Sequence, residues 1–457
     1  MRIESQPLVD EAWKALGGPE SLLERLTVTG EGDLPSAFPV TDLAVASIAV
    51  AVLSVAELLG RHFPAVPDVT VDRRLTSFWF GSSIRPIGWT MPAAWDPIAG
   101  DYRTQDSWIR LHTNAPHHRV AAEHILGRHV DKAAMAKAVG EWSATELETA
   151  IVAAGGCAAE MRSLRDWAEH LQGRAVASEP IVMREAFPCA AFPAWAPQRH
   201  RPLAGLKVLD LTRVLAGPVA SRFLAGYGAE VLRIDPPGWD EPGVVPEVTL
   251  GKRCARLDLE DASDRRIFEE LLSRADILLH GYRPGALDRL GYDEASRRSL
   301  APCLIDVSLS AYGWSGPWGR RRGFDSLVQM SAGIAQAGME WKGADRPTPL
   351  PVQALDHATG YLMAAAADRA IAQRITTGEG TTACLSLARA AQWLADHRGG
   401  PLLEGLAPET TEDLSPDIEH SAWGEARRVK APAAIVGAAM HWRLPASELG
   451  SAAPTWS

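Results

Sequence analysis

The sequence predicts an α/β protein in which an open, mostly parallel, Rossmann-like sheet carries helices on both faces, next to a smaller, mainly helical domain. Three observations lead to this prediction. From Leu206 onward, apolar strand-like runs alternate with amphipathic helix-like runs, which is the pattern of a parallel sheet. Residues 117–154 instead carry one helical pattern after another. The length of 457 residues exceeds one ordinary core and indicates two or three domains.

The alternation of strands and helices can be followed element by element after Leu206. The strand patterns are LKVLDL, AEVLRID, DILLHGY and CLIDVSL, and the helix patterns between them include GPVASRFLAGYG and DASDRRIFEELLSRA, the second with Asp261 as its cap. Ligands of such sheets bind at the carboxyl ends of the strands, so we expect the loops Thr212 to Pro218 and Gly281 to Gly285 to line a site. The first turn lacks the GxGxxG pattern, which disfavours a nicotinamide-dependent dehydrogenase.

One carboxylate stands out at the start of a predicted helix. Asp356 follows the extended stretch PLPVQ and opens an alanine-rich run, which is typical of a helix N-cap. The free N–H groups and the macrodipole at a helix start favour an ionised carboxylate, so Asp356 is a candidate nucleophile as well as a candidate structural cap. The arginines at positions 320–322 indicate either an anion site close to it or a solvated basic face.

A second aspartate-headed helix is predicted near the N-terminus. Thr41 to Phe80 aligns with Leu355 to Leu394 at a constant offset of 314 residues, which places Asp42 on Asp356. We interpret the first segment as a degenerate internal repeat and Asp42 as a cap. The apolar run Leu43 to Ala56 is shorter than the roughly 20 residues that span a membrane, so it predicts a buried helix.

These patterns give a predicted domain organisation. Residues 1–100 hold the degenerate repeat, residues 101–185 form a small α+β domain, and residues 186–202 form a proline-rich linker. Residues 203–395 form the Rossmann-like domain, and residues 396–457 form a polar C-terminal tail.

Composition limits the remaining functions and sites. The net charge of -10 argues against a general affinity for nucleic acid. The five cysteines have no CxxC spacing, so neither a zinc site nor a disulfide framework is expected, and a reducing cytoplasm fits best. The acidic N-terminus does not resemble a signal peptide, and no membrane partner is expected. A metal site at His112, His117 and His118 is disfavoured because no acidic residue or cysteine stands at ligand spacing.

Several motifs in a fixed order resemble one enzyme family. PLAGLKVLDLTRVLAGPVASRFLAGYGAEVLRIDPPG, GKRCARLDLE, GYRPGALDRLGY, GFDSLVQ and ALDHATG are similar to the family III coenzyme A transferases, a group that also includes the α-methylacyl-CoA racemases. The resemblance is collinear from Pro202 to Leu394. Residues 106–180 resemble the smaller domain of that family, which here precedes the catalytic half.

The resemblance implies a set of site residues and partners. It implies that Asp356 is the nucleophile, and that Arg322 lies near the coenzyme. It also implies that coenzyme A (CoA) is contacted by Val214, Leu215, Ala216, Tyr282, Arg289 and Leu290. The chain departs from the family pattern at Pro236 and Gly281 and lacks a glycine-rich lid. A CoA thioester as substrate, a carboxylic acid as acceptor, no permanently bound cofactor and a homodimer of interlocked subunits are further expectations.

The family contains two chemistries, and the sequence favours one. Transfer of CoA through a covalent aspartyl intermediate on Asp356 needs one carboxylate. Racemisation needs a pair of bases, and Phe324 stands where the racemases carry a histidine just before the aspartate of the G-x-D motif. Because phenylalanine cannot move a proton, the racemase reaction is the alternative, although His357 lies next to Asp356. A non-catalytic protein that binds CoA esters is a further alternative.

Overall fold

The computed structural model of the protein describes residues 5–189, 195–399 and 405–457. Its helices are α1 Gln6–Ala15, α2 Val40–His62, α3 Arg73–Gly81, α4 Pro116–Leu126, α5 Lys132–Val139, α6 Ala144–Ala153, α7 Leu164–Glu169, α8 Leu171–Ser178, α9 Ala216–Gly226, α10 Val245–Val248, α11 Ala262–Ser273, α12 Ala286–Arg289, α13 Glu294–Leu300, α14 Asp325–Ser331, α15 Ile334–Lys342, α16 Ala354–Thr377 and α17 Leu387–Asp396.

Four sheets accompany these helices. The strands are β1 Leu26–Thr29, β2 Val69–Asp72, β3 Ile84–Pro86, β4 Gly100–Arg103, β5 Trp108–Leu111, β6 Ala158–Glu160, β7 Met183–Pro188, β8 Lys207–Leu211, β9 Glu230–Asp235, β10 Lys252–Arg256, β11 Ile277–His280, β12 Ile305–Ser310, β13 Glu379–Ser386, β14 Glu419–Ser421, β15 Gly424–Arg428 and β16 Ala433–Ile435.

The predicted α/β architecture is confirmed by the largest sheet. Its strand order is β10-β9-β8-β11-β12-β13-β7, and every neighbouring pair is parallel except β13 with β7. Alternate side chains of one strand enter different cores because successive residues point to opposite faces. Val208 packs in the core that contains α9 and α16, whereas Leu209 packs in the core that contains Phe268 of α11.

The smaller module is a layer of helices on a short antiparallel sheet. Strands β4, β5 and β6 form that sheet, and Ile109 and Leu111 of β5 pack against Met135 of α5 and Leu147 of α6. The module contacts the large sheet's domain through Arg162, whose N–H donates to the carbonyl of Met330. It therefore lies beside the loops expected to form the site.

Helices α2 and α16 pack side by side with matched boundaries. The two helices begin 314 residues apart, at Val40 and Ala354, and α3 and α17 begin 314 residues apart, at Arg73 and Leu387. The hydroxyl of Ser54 donates to Asp368 at 3.3 Å, again across 314 residues. The offset is the one that the sequence alignment gives.

Helix α2 is longer than its predicted apolar run and is enclosed by the protein. It is long and apolar enough to cross a membrane by composition, but 94% of its most apolar window is buried. Asp42 is its third residue, and the cap position belongs to Pro39, so the interpretation of Asp42 as a cap is wrong. Its carboxylate accepts a hydrogen bond from Arg73 at 2.6 Å.

Three expectations about the chain's connections need correction. The predicted linker 186–202 begins inside β7, which extends to Pro188, and residues 190–194 lie outside the described residues. The predicted C-terminal tail contributes β15 and β16, which pair with β3 and β2 near the N-terminus. Cys189 and Cys303 form a disulfide across 114 residues, although the sequence indicated none. A local sequence pattern does not predict these strand pairs or this disulfide, because the paired residues are distant in the chain.

Candidate active site

The start of α16 is held by a carboxylate from another helix. Asp325, the first residue of α14, accepts hydrogen bonds from the backbone N–H groups of Leu355 at 2.9 Å and Asp356 at 3.0 Å. The side-chain amide of Gln329 donates to the other oxygen of Asp325. Gln353 is at the cap position and makes no side-chain capping bond. Asp356 is the third helical residue, so its predicted capping role is wrong, and Asp325 supplies the missing acceptor.

The two aspartates influence each other's protonation. Burial raises the pKa of Asp325 to about 6, although the donors around it act in the opposite direction. Burial, followed by the nearby charge of Asp325, raises the pKa of Asp356 well above its ordinary value. This direction is opposite to the expectation that the helix start keeps Asp356 ionised. Because Asp325 accepts three hydrogen bonds, it carries the charge of the pair more easily, and Asp356 holds its proton in the unliganded protein.

Asp356 nevertheless lies on the wall of a cavity and not in a closed interior. The cavity has a volume of about 410 Å³ and is bounded by the ends of β8, β11 and β12, the start of α9, α4 and residues 321–324. Asp356 is 7% exposed. Asp356 lines the cavity, and among the residues that the structure describes none donates a hydrogen bond to its carboxylate.

Four of the residues implied for CoA line this cavity together with Asp356. They are Val214, Ala216, Tyr282 and Arg322. Leu215 occupies the cap position of α9 behind the wall. Arg289 and Leu290 are outside the lining, at the end of α12. The predicted loops 212–218 and 281–285 thus both reach the site, while three of the residues implied by resemblance do not line it.

The loop before α9 has a strained backbone at Val214. This residue has a φ of 64°, a left-handed conformation that β-branched residues rarely adopt and that costs about 1–3 kcal/mol. Its N–H donates to the carboxylate of Glu241 at 2.8 Å. Helix α9 then approaches α16 closely at Gly360, where a Cβ atom would lie 2.3 Å from the carbonyl oxygen of Ala216. These contacts fix the loop against the helix that carries Asp356.

The cavity collects positive charge. Arg213, Arg283, Arg321 and Arg322 line it. Partial burial and the charges of Arg322 and Arg289 lower the pKa of Arg283, and partial burial and the charges of Arg322, Arg213 and Arg283 lower the pKa of His117. The guanidinium groups therefore repel one another, and a bound anion would relieve this repulsion.

These arginines differ in how the protein already uses them. Arg321 forms an ion pair with Glu148 at 3.0 Å and so joins the cavity wall to the smaller module. Arg213 donates to the hydroxyl of Tyr282 at 3.0 Å and lies over that ring and over Trp239. Arg322 donates to the carbonyl of Gly155 at 2.8 Å. The basic run in the sequence included Arg321 and Arg322, and the resemblance implied Arg322 alone of these four as a coenzyme residue. Arg213 and Arg283 lie in the two loops that the strand pattern singled out.

The smaller module contributes histidines that sequence reasoning considered only as metal ligands. His117 and His118 of α4 line the cavity, and Nε2 of His118 is 3.5 Å from the sulfur of Cys157. Burial lowers the pKa of His118 to about 3. Within the described residues no cluster of His, Cys, Asp and Glu suits a metal ion. Trp239 is a further lining residue, and no sequence signal pointed to it.

Comparisons with known proteins relate the site to one family. Residues 203–418 match the model of "CoA-transferase family III". The acetyl-coenzyme A transferase nodX of Hypoxylon pulicicidum is 35% identical over 199 residues, which are 42% of this chain and 34% of that protein. The succinyl-CoA:glutarate CoA-transferase of Mus musculus is 34% identical over 194 residues, 39% of this chain and 44% of that protein.

A solved structure, Rv3272 from M. tuberculosis, is 32% identical with a TM-score of 0.40, and the match covers 43% of this chain and 56% of that one. The chain thus spans about a third to a half of the length of the curated relatives it matches. The matched region contains Asp356 and most of the cavity wall. Residues 203–418, which include Asp356, are therefore similar to CoA-transferase family III.

Proposed function

We propose that this protein transfers CoA from an acyl-CoA to a carboxylic acid, with Asp356 as the covalent nucleophile. The observation that carries the proposal is the position of Asp356 on the wall of an arginine-lined cavity, next to an aspartate that is fixed by three donors. Only Asp356 of the pair has oxygens without a protein donor among the described residues. It is therefore the carboxylate that can react.

The cavity suits the polyanionic part of CoA. Phosphate groups are bound by guanidinium groups and by backbone N–H groups at helix starts. Arg213, Arg283 and Arg322 supply the first kind of donor, and the start of α9 at Ala216 supplies the second. With the phosphates bound by these groups, the thioester end would lie toward Asp356, which lines the same cavity.

The proposed reaction on Asp356 consists of two successive acyl transfers. The carboxylate attacks the thioester carbonyl and the C–S bond breaks. The products are an acyl-aspartyl anhydride and the free CoA thiolate. The thiolate then attacks the aspartyl carbonyl, which releases the first acid as a carboxylate and leaves an aspartyl-CoA thioester. The acceptor acid repeats these steps in reverse. Because the pKa of Asp356 is raised, its proton must leave before the first attack.

The racemase reaction has weaker support. Phe324 lines the cavity at the position expected for a base, and His357 is not among the described lining residues but is 1% exposed and stacks on Phe80 at 5.1 Å. His118 is the one observation in favour, because it lines the cavity. A racemase would exchange the α-hydrogen of an acyl-CoA in deuterated water without an acceptor acid, and we expect no such exchange.

The test is a transfer assay with matched variants. Acyl-CoA and a labelled acid are incubated with the protein, and the labelled thioester is measured. Asp356→Asn should lower the rate by at least about a thousandfold, because it removes the nucleophile. Asp42→Asn, at the equivalent position of α2, should leave the rate unchanged. Full activity of Asp356→Asn would refute the proposal, and CoA binding without transfer to any acid would favour the non-catalytic alternative.

We also propose that α2 belongs to a degenerate internal repeat of the segment that contains α16. The matched boundaries of the two helices and the Ser54 to Asp368 contact support it. The carboxylate of Asp42, which corresponds to the nucleophile, forms an ion pair with Arg73, so Asp356 is the reactive member of these two equivalent aspartates. Homodimer formation and a cytoplasmic location remain predictions. Light scattering tests the first, and fractionation of the source cells tests the second.

A further inference from the structure

A second cavity adjoins the one that contains Asp356. Its volume is about 250 Å³, and its wall shares Val214, Trp239 and Phe324 with the first cavity. Phe324 directly precedes Asp325, which holds the backbone of Asp356. The junction of the two cavities thus lies beside the start of α16, where the thioester carbonyl must be in the proposed reaction.

Four side chains with flat rings, Trp95, His112, Trp239 and Phe324, line the second cavity among small and polar residues. The rings of His112 and Phe324 stack in parallel at 3.8 Å between centroids, and the ring of Trp95 meets His112 edge-on at 5.8 Å. Trp239 closes another side. Burial, and then the charge of Arg110, lowers the pKa of His112 to about 3, so its ring is neutral. Planar faces of this kind favour offset or edge-on contact with another ring.

The charged groups of the same wall are acidic. Asp96, Asp240 and Glu241 line the cavity, and no arginine or lysine is among its lining residues in the described part of the chain. Asp96 accepts from Thr113 at 2.7 Å and from Arg119 at 2.9 Å. Glu241 is paired with Arg233, so a second carboxylate on a substrate would meet Asp240 and two carboxylates whose arginine partners are already engaged.

We infer that the second cavity holds the acyl group of the thioester and selects a compact, uncharged, ring-bearing acyl group. The inference rests on the proposed transferase function. A cavity of about 150 Å³ accepts a benzene molecule, so 250 Å³ accommodates a single ring with a short linker. Long fatty acyl chains exceed this space, and a dicarboxylic acyl group would place a carboxylate where no described lining residue is a cation.

The experiment compares four donors with the intact protein. The values of kcat/KM for benzoyl-CoA, acetyl-CoA, succinyl-CoA and palmitoyl-CoA are measured with one acceptor acid, and benzoyl-CoA should be the best donor. Trp95→Ala should lower the ratio of benzoyl-CoA to acetyl-CoA roughly tenfold, as expected for a lost pocket contact. Trp341→Ala is the control, because Trp341 is similarly exposed, 44% against 40% for Trp95, but does not line the cavity. The ratio cancels any general loss of folded protein.

A charge variant gives an independent readout. Asp240→Lys adds a cation at an exposed position of the wall, so the ratio of kcat/KM for succinyl-CoA to that for benzoyl-CoA should rise several-fold. A preference for succinyl-CoA or palmitoyl-CoA in the unaltered protein would overturn the inference and leave the transferase function standing. If no donor is used, the proposed function fails. Calorimetry then decides the inference separately, because benzoyl-CoA should still bind more tightly than succinyl-CoA, and equal affinities would overturn it.

Discussion

Replacing Asp325 by alanine should destabilise the protein more than replacing Asp356. Asp325 is 0% exposed and accepts hydrogen bonds from two backbone N–H groups and from Gln329. Hydrogen bonds to a charged group contribute about 1.5–3 kcal/mol each, so the three contribute about 4.5–9 kcal/mol. Burial of the charge, which raises the pKa of Asp325 against the effect of these donors, offsets part of this contribution. We therefore expect a net loss of about 4 kcal/mol for Asp325→Ala.

Asp356→Asn should instead raise the free energy of unfolding at neutral pH. An unfolded chain ionises an aspartate near its ordinary pKa, whereas the folded protein keeps the proton on Asp356 because that pKa is raised. Above the ordinary pKa the unfolded state therefore binds fewer protons, and the free energy of unfolding falls as the pH rises. Asparagine does not ionise, so the free energy of unfolding of the variant should increase relative to that of the unaltered protein as the pH rises from 4 to 8.

Urea unfolding followed by circular dichroism, repeated at several pH values, measures both effects. The expected order of midpoints at pH 7 is Asp356→Asn, then the unaltered protein, then Asp325→Ala. A loss below about 1 kcal/mol for Asp325→Ala would contradict its function as the anchor of α16. An equal loss in both variants would contradict the assignment of the charge to Asp325.

Three other predictions follow from the same contacts. The transfer rate should rise with pH, because the raised pKa of Asp356 means that the nucleophile forms only on loss of a proton; a rate that falls with pH would speak against it. Arg283→Ala should weaken CoA binding about tenfold in calorimetry, while Arg289→Ala, outside the cavity lining, should not. Glu247 is buried between Arg222 and Arg428. Burial alone would raise the pKa of Glu247, but the charges of the two arginines outweigh it and lower this pKa to about 2. Glu247→Gln should therefore cost about 3–5 kcal/mol in urea unfolding, and a neutral result would show that this ion pair is not needed.

The large sheet was predictable because each of its strands and helices is indicated by a pattern within a short stretch of sequence. Each buried parallel strand needs a continuous apolar run, and each covering helix needs one apolar face; the runs around Val208, Ile277 and Ile305 satisfy the first requirement. The order of these runs along the chain then fixes which loops meet at the carboxyl edge. The two loops that carry Arg213 and Arg283 could therefore be placed at the site, although the sequence did not single out these two residues.

The protonation of the site was not predictable, because it depends on contacts across the fold. A helix start alone favours an ionised Asp356, but the carboxylate of Asp325, 31 residues away in the chain, occupies the N–H groups that would stabilise that charge. Similarly, Arg321 belongs to a basic run in the sequence, yet it pairs with Glu148 of the smaller module. Edge strand β7 and strand β16 carry no local sign of their partners.

The most direct measurement is mass spectrometry of the protein after reaction with an acyl-CoA and hydroxylamine. The mechanism predicts a hydroxamate on the peptide that contains Asp356, formed only when the acyl-CoA is present and lost in Asp356→Asn. The corresponding peptide around Asp42 should stay unmodified. Continued CoA transfer with no adduct on Asp356, or an adduct on Cys157 of the same region instead, would contradict the mechanism.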